Sequence, residues 1–379
     1  MELLSTFGDV GGISSGVAGV PSPTKLMRPS GANYDAAGNL YIATRYDTGV
    51  ATSGAILRSF DPKGALRWEQ SCHVFSECWD VVPEGDRLVA YGFRSVFSKA
   101  RKDPRGVWRQ DAVTLDSINN PEDIRTAKPI LHATSTMRKL DGIQYVFSWG
   151  SGGNSDVTVT QLGVKGKLGA VVANIGDAGM WAYDIDARGD LWNEADGGRS
   201  VVRRKHLSKA TWGEPEKFAL PLPLNEVQRM AYDTDHDVMY VTGYGPDAPK
   251  PNGEWGLIGR SLTKYEKFTS GKPTAAWSTT MELDDGRAPP KSMAWAGDYV
   301  FTAACLPSKG LRAQIYVYSA RNGAFVGRIT APTEIADHAG WVDLIHGLRV
   351  RLDQDGVYLI TQEENFHGKM LVHTWKPGK

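Results

Sequence analysis

The sequence predicts an all-β fold, a β-propeller of seven four-stranded blades whose ring closes when an N-terminal strand joins the last blade. Three observations predict it. A strand, polar turn, strand unit recurs along the whole 379-residue chain. Aromatic and turn-forming residues are abundant, with 12 Trp, 14 Tyr, 42 Gly and 20 Pro, and long amphipathic helical stretches are absent. That mixture suits short strands joined by tight turns. Finally, one strand is missing from the last unit and one is spare at the other terminus.

The clearest unit is Asn33-Tyr34-Asp35-Ala36-Ala37-Gly38-Asn39-Leu40-Tyr41-Ile42-Ala43. Apolar and polar residues alternate on both sides of a Gly/Asn turn, as a half-buried hairpin requires. Further copies run over Tyr183 to Trp192, Ala231 to Val241 and Val350 to Ile360, and weaker ones turn at Glu84-Gly85-Asp86, Asp141-Gly142 and Gly297-Asp298. The turn positions Gly38, Gly85, Gly142, Gly189, His236, Gly297 and Gly356 are spaced by 47 to 61 residues. A four-stranded blade takes roughly 40–50 residues, so the longer intervals need only longer loops. Each hairpin is followed by two more strand-like runs, as in Ala55 to Phe60 and Ala65 to Trp68, joined by Asp61-Pro62-Lys63-Gly64. The last unit ends at Leu371 to Trp375 with three strands, and Leu3 to Phe7 supplies the fourth. Closure of that kind removes free sheet edges. It also makes residues 1–379 a single domain.

Residues Arg28 to Thr44, RPSGANYDAAGNLYIAT, resemble the NHL repeat, whose family builds ring-shaped propellers. The resemblance implies a fold rather than an activity, because such rings include scaffolds, a peptide-amidating lyase and relatives of gluconolactonase. The loops after the second strands are longer here than in compact NHL repeats. No metal site of the family is carried over.

Composition excludes several classes. There are 43 Lys and Arg against 43 Asp and Glu, whereas phosphate recognition needs a clustered basic excess. No nucleic-acid partner is expected. The one basic run, Arg203-Arg204-Lys205-His206, reads as a solvated strand edge. No apolar segment approaches the ~20 residues of a membrane span. Met1-Glu2-Leu3-Leu4 has no basic start or apolar stretch of a secretory leader, so the chain is either cytosolic or a mature domain. Cys72 and Cys78 are close enough in sequence for a small disulfide loop, and Cys305 has no evident partner. The expectation is an extracytoplasmic home, periplasmic or secreted, with the pairing of Cys72 and Cys78 left open.

In a four-stranded blade the turns after the first strand lie on one face. The loops after the second and fourth strands share the opposite face. Asp233-Thr234-Asp235-His236-Asp237, on the turn face, has the alternating oxygens of a calcium loop but lacks its Gly and distant Glu. A plain hairpin is the simpler reading. Five of the eight histidines (His73, His132, His338, His346 and His367) fall on the opposite face. The connector from His338 to Arg349 is the densest cluster. There His346 or His132 can act as a base, Asp343 can orient it, and Arg349 or Arg45 can hold a carboxylate. Trp79, Trp181 and Trp341 occupy comparable positions near the start of a first strand and could stack on sugar rings or simply fill gaps between blades. His73, Glu363, Glu364 and Arg229 complete the candidate set.

The leading expectation is a funnel for a polar ligand, an oligosaccharide, with lyase or hydrolase chemistry left open. The alternatives are a non-catalytic scaffold that binds another protein and a metal-dependent lactonase-like hydrolase. No metal ligands are assigned and no cofactor is identified, because no Gly-x-Ser-x-Gly, Walker loop or His-Glu-x-x-His occurs.

Overall fold

The computed structural model describes residues 2–7, 29–35, 37–46, 54–72, 78–92, 95–103, 108–113, 136–149, 157–162, 170–176, 183–224, 226–244, 260–280, 290–306, 312–330, 348–352, 356–364 and 369–378. Among these, 28 strands form seven four-stranded antiparallel sheets. The first sheet is β2–β5 (Pro29–Tyr34, Leu40–Tyr46, Gly54–Phe60, Leu66–Cys72) and the second β6–β9 (Cys78–Glu84, Arg87–Gly92, Ser95–Ala100, Arg109–Val113). The third is β10–β13 (Thr136–Leu140, Ile143–Trp149, Val157–Leu162, Ala170–Ile175) and the fourth β14–β17 (Tyr183–Ile185, Leu191–Ala195, Ser200–Ser208, Thr211–Ala219). The fifth is β18–β21 (Glu226–Asp233, Val238–Tyr244, Arg260–Glu266, Thr274–Thr280) and the sixth β22–β25 (Pro290–Ala296, Tyr299–Leu306, Arg312–Ser319, Phe325–Thr330). The seventh takes β26–β28 (Leu348–Leu352, Tyr358–Glu364, Lys369–Lys376) and, on the outer side of β28, β1 (Glu2–Phe7). Glu2 stands opposite Lys376, and Phe7 opposite Val372.

Local chemistry fixes the turns that open the first and fourth sheets. Asp35 Oδ1 accepts the backbone N–H of Ala37 and of Asn39 at 2.9 and 3.0 Å, and its Oδ2 accepts the Tyr41 hydroxyl at 2.9 Å. Asp186 repeats the device with the N–H of Arg188 and Asp190 and the indole N–H of Trp192, at 2.9, 3.0 and 2.9 Å. One carboxylate thus shapes the turn and holds the ring in the next strand. Gly38 and Gly189 supply the left-handed backbone, at φ 77° and 87°.

That ring occupies one register row. Tyr41 pairs with Asn33, Tyr145 with Arg138, Trp192 with Asp184, Tyr240 with Ala231 and Phe301 with Ala294. All five rings are buried, and each lies in a different hydrophobic cluster between neighbouring sheets. Tyr41 packs towards Val81, Leu88 and Ala90 of the second sheet, and Tyr145 towards Ile185 and Leu191 of the fourth. Trp192 meets Met239 and Val241 of the fifth, Tyr240 meets Val300 and Tyr316 of the sixth, and Phe301 meets Tyr358 and Trp375 of the seventh. Burial of a large aromatic side chain contributes on the order of 2–3 kcal/mol, which makes this row the main apolar joint between sheets. Polar links add to it. Lys139 lies 3.8 Å from Glu84 between the third and second sheets, and the Trp277 indole donates to Ala320 O at 3.1 Å between the fifth and sixth.

Four first strands share an irregularity. The register slips by one residue between Pro29 and Gly31, Cys78 and Asp80, Val227 and Arg229, and Pro290 and Ser292. The extra residues, Ser30, Trp79, Gln228 and Lys291, each stand five positions before the residue that begins the turn (Asp35, Glu84, Asp233 and Ala296). In the seventh sheet the corresponding stretch pairs without a slip, Leu348 with Gln362 and Arg349 with Thr361.

Two predictions follow from the packing. A Cβ at Gly189 would sit 2.6 Å from Leu140 Cδ1 at a φ of +87°, so Gly189→Ala should cost about 2–4 kcal/mol in urea denaturation. Gly85→Ala, at φ +58° with nothing within 4 Å, should cost only the backbone strain, about 1 kcal/mol. The second concerns His373, which is 0% exposed in β28, where burial pushes its imidazole down to about 4. A depressed folded value means that the neutral ring favours the fold above the unfolded value of about 6.5 and that this is lost as pH falls towards 4. Denaturation curves should show roughly 3 kcal/mol disappearing across that window. His373→Phe, with nothing to titrate, should flatten the loss.

Candidate functional site

At the turn end of the sheets several carboxylates are used internally. Asp233 Oδ1 accepts the N–H of Asp235 at 3.0 Å and of His236 at 3.3 Å, and its Oδ2 lies 2.7 Å from His236 Nδ1. Asp237 accepts the Tyr232 hydroxyl at 2.8 Å and the N–H of Thr269 and Ser270 at 2.8 and 2.9 Å. Partial burial works against that charge, but the hydrogen bonds from Ser270, Thr269 and Tyr232 together bring the carboxyl down to about 2. The segment that resembled a calcium loop is therefore a self-bonded hairpin.

The basic run is not a solvated edge. It lies in β16, the third strand of its sheet, with β17 outside it. Arg203 Nη2 donates to Glu216 at 2.6 Å, and the guanidinium lies 5.6 Å from the centre of the Trp192 ring. Arg204 donates to Gly176 O at 3.2 Å, and the His206 ring lies 2.8 Å from Lys209 O. The nine-residue partner strand, with Glu216 facing Arg203, is what the sequence reading lacked.

Six of the sequence-predicted residues are in described strands. Arg45 is next to last in β3, opposite Ala55, and Trp79 is the extra residue in β6. Arg229 follows the slip in β18, opposite Thr242, and is half-buried. Arg349 pairs with Thr361 in β26, while Glu363 and Glu364 close β27 opposite Met370 and Lys369. Each of the six lies towards the end of its sheet away from the opening turn. In the seventh sheet Glu363 stands two residues beyond the partner of Arg349, with Glu364 next to it. His73, His132, Trp181, Trp341, Asp343 and His346 lie outside the described residues.

A polar chain across three first strands was not foreseen. Arg138 donates through Nε and Nη2 to Ile185 O at 3.1 and 2.7 Å, and Asp184 Oδ2 accepts the N–H of Tyr232 at 3.2 Å. Arg138 and Asp184 occupy the same register row in consecutive sheets, so one covers a carbonyl and the other an N–H on the next first strand. A first strand pairs on one side only, and its other edge needs such partners. Burial pushes the Asp184 carboxyl up, against the pull of Arg138 and the Tyr232 N–H. The signal available in the sequence was a charge where other copies carry Ala231 and Ala294. Among the described residues, no three metal-ligating side chains come together, and no helix is long and apolar enough to cross a membrane.

No protein-family model matches the chain. No curated protein matches either. Among solved structures, similar chains are β-propeller proteins. A virginiamycin B lyase from Staphylococcus aureus, solved with quinupristin, is 12% identical, with 94% of this chain and 98% of that chain covered at a TM-score of 0.49. A protein from Bacteroides fragilis described as a 6-phosphogluconolactonase is 14% identical over 86% and 88%, at 0.45. The N-terminal domain of Nup159 is 10% identical over 92% and 89%, at 0.47.

The raised value of Asp184 sets a pH signature. A carboxyl raised in the fold favours the folded state while protonated, and that contribution is lost as pH rises through the folded value. Asp184→Asn keeps an acceptor for the Tyr232 N–H without the charge. It should melt above the parent protein at pH 8, with the gap narrowing at pH 4, as read by thermal denaturation.

Proposed function

We propose that the chain is a seven-bladed propeller, one closed domain, that binds a polar ligand, an oligosaccharide, on the face away from the opening turns. The observation that carries this reading is the internal use of charge at the turn end. Asp35, Asp186, Asp233 and Asp237 are committed to their own turns and neighbouring residues there. Carboxylates held in that way are poor ligand groups, because each contact to a ligand must displace an existing hydrogen bond. The opposite ends of the sheets carry Arg45, Trp79, Arg229, Arg349, Glu363 and Glu364 instead. Pairing of β1 with β28 supports closure, since it joins both ends of the chain in one sheet.

On this reading His346 or His132 is the base, Asp343 orients it, and Arg349 or Arg45 holds an acidic group. Removing the proton beside a uronic-acid carboxylate, with loss of the neighbouring glycosidic oxygen, leaves a carbon–carbon double bond. The base takes the proton and the leaving oxygen is protonated in turn. An extracytoplasmic home, periplasmic or secreted, is part of the same proposal, with the pairing of Cys72 and Cys78 left open.

Acidic and neutral polysaccharides test the reading. Elimination should appear as growing ultraviolet absorbance with acidic substrates, and His346→Ala should slow it about 100-fold or more while keeping the circular dichroism of the parent. Binding without product would reduce the site to a lectin-like one. Neither binding nor product across the panel would sink the oligosaccharide reading and favour the protein scaffold. Loss of activity with chelator and its return with a divalent ion would favour the lactonase-like alternative.

A further inference from the structure

The chain contains two Asn-Gly pairs, Asn252-Gly253 and Asn322-Gly323, and the second lies in the turn between β24 and β25. An asparagine followed by glycine is chemically labile, because a neighbour without a Cβ leaves its backbone nitrogen open to the asparagine side chain. Here the glycine cannot be exchanged. Gly323 has a φ of 70°, and a Cβ on it would stand 2.5 Å from Cε3 of Trp277 in the fifth sheet. The close fit between the two sheets therefore keeps the labile pair in place.

The turn also sets the asparagine for reaction. Asn322 is exposed, and its Oδ1 accepts the N–H of Ala324 at 3.1 Å. That bond folds the side-chain carbonyl back over the Gly323 peptide and draws electron density from Cγ. One restraint opposes attack. The Gly323 N–H donates to Ser319 O at 2.9 Å, so its nitrogen is released only when the turn opens. The turn is held shut by the Ala320 N–H, which donates to Asp298 O at 2.8 Å, and by the Trp277 indole, which donates to Ala320 O at 3.1 Å.

We infer that Asn322 is a site of spontaneous modification whose product loosens the joint between the fifth and sixth sheets. The deprotonated Gly323 nitrogen attacks Asn322 Cγ, closing a five-membered imide and releasing the side-chain nitrogen as ammonia. Water then opens the ring. Cleavage at Cγ gives aspartate on an unchanged backbone. Cleavage at the main-chain carbonyl gives isoaspartate, with Gly323 attached through the side chain and one methylene added to the backbone. Gly323 has no space towards the Trp277 ring, so the added length displaces the turn and the indole loses Ala320 O.

The test is incubation of the full chain in mildly alkaline buffer, with peptide mapping by mass spectrometry at both Asn-Gly pairs. Asn322 should convert in the folded chain, roughly tenfold more slowly than in the same chain unfolded in urea. Trp277→Phe, which lacks the indole N–H, should speed conversion at Asn322 about threefold. The converted protein should melt below the fresh protein, while Asn322→Gln keeps its melting temperature through the incubation. Asn322→Asp, which carries the new charge on a normal backbone, should melt with the parent. Conversion confined to Asn252, or none at Asn322 while the unfolded chain converts there, would overturn the site. Conversion at Asn322 with no change in melting would overturn the loosening of the joint, and an unchanged rate in Trp277→Phe would remove the indole as its brake.

Discussion

An aromatic ring set in the second strand of five of the seven sheets is the joint on which the architecture depends. Sheets that twist cannot lie flat on one another, and the space between them must be filled by something large and rigid. Tyr41, Tyr145, Trp192, Tyr240 and Phe301 do this from one register row. Two of them are also tethered to the turn that begins their own sheet, through Asp35 and Asp186. The turn geometry and the inter-sheet packing are therefore coupled through a single side chain. That coupling explains why an aspartate, a glycine and an aromatic residue recur together rather than separately.

The first strands meet a second constraint. Each is hydrogen-bonded on one side, which leaves a row of backbone groups on the other. Arg138 and Asp184 answer it by reaching to the next sheet, at the cost of holding a carboxyl where burial opposes its charge. Their neighbours Ala231 and Ala294 in the same row carry no polar side chain. A charge kept at such a place costs stability that the backbone contacts to the next sheet offset only in part.

The parts of this fold that could be read from the chain are those governed by short-range chemistry. Asp35 and Gly38, or Asp186 and Gly189, interact within a few residues, so their pattern survives in the sequence and reveals both the turns and the number of units. The match of Leu3 to Phe7 with an incomplete last sheet was also legible, because strand counting needs no side-chain detail. Arg138 and Ile185 are 47 positions apart, and no local pattern announces their contact. The bulges at Ser30, Trp79, Gln228 and Lys291 add one residue each without altering composition or alternation enough to notice. Arg203 was misread for a related reason, since its partner Glu216 lies across a hairpin whose length was not foreseen. Of the site, the placement of Arg45, Trp79, Arg229, Arg349, Glu363 and Glu364 at one end of their sheets followed from topology. Their chemistry depends on convergence between sheets, which strand patterns do not encode.

The pairing of β1 with β28 has a consequence for biogenesis. During synthesis β1 is made long before its partner β28, from which the other six sheets separate it. Until then Glu2–Phe7 is an unmatched edge that other chains could capture. Completion of the last sheet is thus a late event with a long closing loop, a step on which nascent-chain protection by a chaperone would act most strongly.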